Sequence, residues 1–189
     1  MTRIWTIGHS TRPAEELVEL LRGEGVTQLV DVRRFPGSRR QPQYGREALA
    51  GSLADAGIAY VHEPALGGRR AAARDSGNTF WRAGGFRGYA DYMATGEFAE
   101  ALRRLESLAA ERPTAIMCAE AVPWRCHRQL VADALVARGH DVVHIMGGGR
   151  VQRHQLNAAA RVNPDGTLTY PGEPAQGSLF AGGADGDDG

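Results

Sequence analysis

The amino-acid sequence predicts an α/β fold: a single domain built on a mostly parallel, open five-stranded sheet with helices on both faces. Three observations carry this prediction. A chain of 189 residues is long enough for one well-packed domain and short for two. Short apolar segments alternate with stretches of helical periodicity, as βα repeats do. Each apolar segment also runs out into chemically capable residues, while the returns into the next one are bland ("RGEGVTQ", "ADAG", "ERP", "ARGH"). In open parallel sheets ligands bind at the carboxyl ends of the strands, so that asymmetry marks a used edge.

The elements follow in order. "RIWTIG" (3–8) reads as a short buried strand, after which Ser10 or Thr11 caps a helix that starts near Pro13. "TQLVDV" (27–32) is the second strand, "REALAGSLADAG" a helix and "IAYVH" (58–62) the third strand. A long polar, glycine-rich stretch then leads to an aromatic turn, "FRGYADYM", in which Phe86, Tyr89 and Met93 read as core. "GEFAEALRRLESLAAERP" is a helix ended by Pro113, "TAIMCAE" the fourth strand, "CHRQLVADALVARGH" a helix and "DVVHIM" the fifth strand. After "GGGR" a short helical or coiled piece is expected, then a small hairpin around Asp165-Gly166. The domain is expected to span residues 1–170, with 171–189 a disordered tail of Pro, Gly and Ala.

Composition narrows the function classes. The hydrophobic fraction of 42% and charged fraction of 23% are those of a soluble globular protein, and no apolar run reaches the roughly 20 residues of a membrane span. No signal peptide is visible, and two cysteines are too few for a disulfide scaffold, so a reduced, cytoplasmic setting is expected. Formal net charge is zero, yet all 22 basic residues are arginine and they crowd "DVRRFPGSRRQPQYGR". Such local clusters bind anions even on a neutral chain.

The densest chemistry lies in "CAEAVPWRCHR" (118–128). Cys118 leaves a strand beside Glu120, and Cys126 falls near a helix start, where the dipole with His127 and Arg128 favours a thiolate. The spacing matches no zinc pattern, so no metal and no cofactor is required. The loop is loosely similar to the cysteine loops of phosphatases and sulfurtransferases, but Glu120 opposes an anion and Pro123 removes a donor. His9 and Asp31 join Cys118, Glu120, Cys126 and His127 as candidate catalytic residues, each at a strand end or helix start. Ser10, Arg33, Arg34, Ser38, Arg39, Arg40, Tyr44 and Arg128 are the candidate substrate contacts, the mixture of arginine with Phe35 and Tyr44 suiting a nucleic-acid backbone and stacked bases. His140 and His154 read as surface residues.

The segments "TIGHS", "DVRRFPGSR", "ALGG", "FRGYADYM", "CAEAVPWRCHR" and "HI" together resemble the domain of unknown function 488 family, over residues 4 to about 146. The resemblance implies an α/β fold and a site built from His9, Ser10, Asp31, Arg33, Pro36, Ser38, Cys118, Glu120, Cys126, His127 and Arg128. It implies no particular reaction. In the tail, "QGSLF" (176–180) is similar to the pentapeptide by which bacterial replication and repair proteins dock on the sliding clamp. Gln176, Leu179 and Phe180 would make the contacts, and Gly177 departs from the usual Leu. The leading expectation is a nucleic-acid- or nucleotide-processing protein recruited to the clamp. A non-catalytic nucleic-acid or anion-binding module and a thiol-dependent sulfur-transfer or redox enzyme are the alternatives.

Overall fold

A computed structural model describes residues 1–37 and 39–172. Strands β1 (Arg3–Gly8), β2 (Gln28–Asp31), β3 (Ala59–His62), β4 (Thr114–Cys118), β5 (Asp141–Gly147) and β6 (Arg150–Arg153) form one sheet in the order β3-β2-β4-β1-β5-β6. All its pairings are parallel except β5 with β6. The α/β class, single domain and mostly parallel sheet are therefore as the sequence indicates, with six strands rather than five. The sixth replaces the coil expected after "GGGR". Gly147, Gly148 and Gly149 all have positive φ and turn the chain back antiparallel on β5. The hairpin around Asp165-Gly166 is formed by β7 (Arg161–Val162) and β8 (Leu168–Thr169).

Helices α1 (Ala14–Gly23) and α2 (Arg46–Asp55) connect strands progressing one way along the sheet. Helices α3 (Gly84–Tyr92), α4 (Gly96–Glu111) and α5 (Arg128–Ala137) belong to connections running the other way. Right-handed crossovers then require opposite faces. Leu17, Leu21, Leu49 and Leu53 accordingly pack on Ile7, Leu29 and Met117, whereas Tyr89, Leu102, Leu105, Leu130 and Leu135 pack on Ile4, Val30 and Ile116. Connections leave the adjacent strands β4 and β1 on opposite faces, which opens a crevice at their carboxyl ends.

Local sequence explains where several helices stop. Gly25, Gly57 and Gly139 have positive φ, and the N–H groups of Val26, Ile58 and His140 return to the carbonyls of Leu21, Leu53 and Leu135. This left-handed glycine cap closes α1, α2 and α5 and aims the chain into the next strand. The expected Ser10 or Thr11 cap is not used: α1 begins after Pro13 with no side-chain cap. "FRGYADYM" forms α3 rather than a turn, and α5 begins at Arg128, two residues after Cys126. No helix is long and apolar enough to cross a membrane among the described residues.

Candidate functional site

The carboxyl edge gathers the predicted segments by backbone contact before any side chain is considered. The N–H groups of His9 and Ser10 donate to the carbonyls of Cys118 and Ala119, which ties the end of β1 to the loop after β4. A Cβ on Gly8 would fall within the carbonyl of Glu120, and one on Gly67 would lie 2.8 Å from the backbone of Arg34. On Gly68 it would sit 2.9 Å from Nδ1 of His127. Only glycine permits these approaches, so "TIGHS", "DVRR", "ALGG" and "CHR" meet as one surface.

At its centre the sulfurs of Cys118 and Cys126, both buried, lie in direct contact. Cys118 closes β4, and a 3-10 turn, Pro123–Arg125, swings Cys126 back over it. The backbone N–H of Arg128 donates to the Cys126 sulfur at 3.4 Å, and His127 Nδ1 lies 3.5 Å from the same atom. Burial raises the pKa of the Cys118 thiol, but the hydrogen bond from Cys126 and the charge of Arg128 outweigh it and hold the thiol below its ordinary range. Cys126 moves the opposite way, chiefly through its contact with the Cys118 sulfur and secondarily because it is buried.

Arg128 supplies the counter-charge. It is 1% exposed; Nη2 donates to the carbonyls of Glu120 and Ala121, while Nε and Nη1 have no hydrogen-bond partner. No carboxylate pairs with it among the described ion pairs. His127 packs against Tyr89, its Nε2 also unpartnered, and burial lowers its pKa to about 4. The Glu120 side chain is exposed and forms none of these bonds; it is its carbonyl that faces Cys118 and Arg128.

His9 and Asp31 lie in a second, tightly bonded group next to the first. Arg33 donates from Nε and Nη2 to both oxygens of Asp31, from Nη2 to the Tyr44 carbonyl, and from Nη1 to His9 Nε2 at 3.3 Å. A guanidinium can only donate, so His9 carries its proton on Nδ1 and gives it to the Ser10 carbonyl at 2.8 Å. Stacked on Tyr44 at 4.1 Å, His9 is lowered to about 4, mainly by burial, and stays neutral at pH 7. Every nitrogen of the Arg33 guanidinium is thus engaged internally. Ser10 holds φ at 50°, a left-handed conformation that costs a non-glycine residue of order 1 kcal/mol or more.

Arg34, Arg39 and Arg40 stand on the exposed rim beside Phe35, which is 67% exposed. Arg34 donates to the Arg69 carbonyl and lies 5.6 Å from the Phe35 ring, joining loops 33–41 and 67–75. Pro36 accepts from the Arg46 N–H at the base of this loop. Ser38 and the tail residues Gln176, Leu179 and Phe180 lie outside the described residues. Among the described residues no group of three or more Cys, His, Asp or Glu could hold a metal ion.

One buried polar chain escaped the sequence reading. Thr6 Oγ1, His144 Nδ1, His144 Nε2, His154 Nδ1, His154 Nε2 and Asp133 Oδ1 are linked by contacts of 2.7, 2.9 and 2.8 Å. Tyr170 donates to the other Asp133 oxygen at 2.9 Å. His154 is therefore not the surface residue expected, and neither is His140, which pairs with Glu106 at 3.0 Å. The only sequence signal was a polar residue in each of two buried strands and in an apolar helix face, Thr6, His144 and Asp133.

A family model described as "Domain of unknown function DUF488" matches residues 13–135, well over half of the chain. No match was found among curated proteins or solved structures.

Proposed function

The chain belongs to the DUF488 family, and on the geometry of its own site we propose that it is a thiol-dependent redox enzyme. The observation that carries this reading is the direct juxtaposition of the Cys118 and Cys126 sulfurs beside an arginine that has no carboxylate partner among the described residues. Cys118 is the attacking thiolate. It displaces one half of a small disulfide as a thiolate and leaves a mixed disulfide on Cys118. Cys126 then attacks Cys118, its proton leaves with the second half, and an intramolecular disulfide closes. Burial of both sulfurs restricts the partner to a small molecule or to one admitted by movement of the 119–125 segment.

Alkylation of the full chain across pH 5–9 tests this. Cys118 should keep its reactivity well below the ordinary thiol range near about 8.5, and Cys118→Ser should remove that reactivity. Treatment with a small disulfide should release two equivalents of small thiol and join Cys118 to Cys126. Two thiols titrating as ordinary cysteines, with no internal disulfide formed, would overturn the reading.

A second reading, processing or binding of a nucleic acid or nucleotide, is favoured by the rim. Residues 33–46 hold five arginines and no acid, and residues 64–90 hold five against Asp75 alone. The two loops touch at Arg34 and carry exposed Phe35 and Phe80. Binding of a single-stranded oligonucleotide should weaken steeply with salt, and Arg34→Ala with Arg39→Ala should reduce it at least ten-fold; salt-independent binding would exclude the rim. Recruitment to the sliding clamp rests on "QGSLF" alone. A peptide spanning 171–185 should bind a bacterial clamp, and lose binding when Leu179 and Phe180 become Ala; equal binding of both peptides rejects the docking motif.

A further inference from the structure

On the outer side of the Cys118–Cys126 loop lies a cleft of about 380 Å³ that the thiol chemistry does not use. Trp124, Gln129, Gln152, Arg153, His154 and Gln155 are among the residues lining it. Its size falls in the range of small-ligand sites. Trp124 is 55% exposed, and Gln129 Nε2 donates to its carbonyl at 3.3 Å, so the turn that carries the indole is tied to α5.

The cleft's other groups define what could stack there. The side chains of Gln152 and Gln155 are exposed and bond to no protein group among the described residues, so each offers a donor and an acceptor side by side, the pattern that pairs with a base edge. The inner wall is the His144–His154–Asp133 chain. All four imidazole nitrogens of its two histidines are engaged, so this wall presents neither a free lone pair nor a mobile proton. Arg153, 74% exposed at the side chain, sits at the rim with its Nε in an ion pair with Asp141 at 2.6 Å, so only its outer guanidinium nitrogens are left to reach a phosphate. A flat π platform, unpaired amides and a rim guanidinium together select a planar, hydrogen-bonding ring that carries an anionic group.

We propose that this cleft binds the nucleobase of a nucleoside phosphate, stacked on Trp124, its edge on Gln152 and Gln155 and its phosphate toward Arg153. The proposal rests on the nucleotide reading of the second hypothesis and is independent of the thiols.

Calorimetric titration of the full chain with the four nucleoside 5′-monophosphates, and with ribose 5-phosphate as a ligand lacking the base, tests it. At least one nucleotide should bind with Kd below about 1 mM, and ribose 5-phosphate should bind at least ten-fold more weakly. Trp124→Ala and the pair Gln152→Ala with Gln155→Ala should each weaken the nucleotide at least ten-fold, the size of one lost stacked base. All these positions are exposed, and an unchanged thermal melt checks that each variant folds. No saturable binding, or equal binding of ribose 5-phosphate, overturns the proposal. Binding that survives Trp124→Ala but is lost in Arg34→Ala also overturns it, and moves the nucleotide to the arginine rim with the second hypothesis intact. Failure of the alkylation test leaves this result untouched.

Discussion

Arg128 shows how much one residue can organise at this edge. A guanidinium that is 1% exposed, bonded to two carbonyls and to no carboxylate, leaves a buried charge that must be compensated. The Arg128 charge lowers the Cys118 thiol, and on the thiol-redox reading a Cys118 thiolate would be the compensation, which would make thiol and arginine one unit. Arg128→Met should raise the Cys118 titration and slow its alkylation at pH 7 several-fold. Cys118→Ser in the intact background should cost about 3–5 kcal/mol, because it strands the guanidinium. In the double variant the two effects should fall short of their sum, as measured by urea unfolding. Strict additivity would show that the thiolate and Arg128 are not paired. Cys118, Cys126, His127 and Arg128 were legible as candidates because four reactive residue types in eleven positions are dense. That Arg128 turns inward while Glu120 turns outward was not legible, since both read as polar loop or helix-start residues.

Among the elements, those written in local sequence were the ones predicted. The helices from 14, 46 and 96 show apolar spacing, and two of them end on left-handed glycine caps. Two elements lacked such a signal. The four residues of β6 are all exposed, so no alternation of apolar and polar side chains marks them. Helix α3 opens on Gly84-Gly85, which disfavours helix by about 1 kcal/mol per glycine. Tertiary contacts override that preference. Tyr89 and Tyr92 donate to the Leu66 and Ala65 carbonyls, and Asp91 collects Ala73, Ser76 and Asn78. The same helix explains an otherwise idle glycine of "FRGYADYM". A Cβ on Gly88 would stand 2.1 Å from the Arg70 carbonyl, so the arginine-bearing 67–75 loop can pass over α3 only at this residue.

Across the described residues, three histidines sit in separate groups, His9 and His144 buried and His127 half-buried, and each is held neutral. Burial is the first cause in every case, lowering His9 and His127 to about 4 and His144 to about 3. The unfolded chain takes up these protons near about 6.5 while the folded chain does not. Stability is therefore fully present above pH 6.5 and declines as pH falls, by roughly 1 kcal/mol per pH unit for each histidine, until the folded values are reached. Urea midpoints measured from pH 7.5 to 4 should fall continuously below 6.5, and His144→Gln should flatten the slope by about one third. A midpoint independent of pH over that range would mean that the histidines are solvated.

The sequence by itself determined the α/β class, the succession of the first five strands along the chain, the edge on which polar residues collect and the dense loop from Cys118 to Arg128. Those properties follow from periodicity and chain order, which are local or nearly so. Only the tertiary structure decided which polar residues meet. It set Cys126 on Cys118 through a turn at Pro123, engaged Arg33 with Asp31 rather than leaving it open, and joined His144, His154 and Asp133 from three elements. Side-chain partnership across a sheet depends on strand order and on which face a helix returns to, and no window of sequence contains that information.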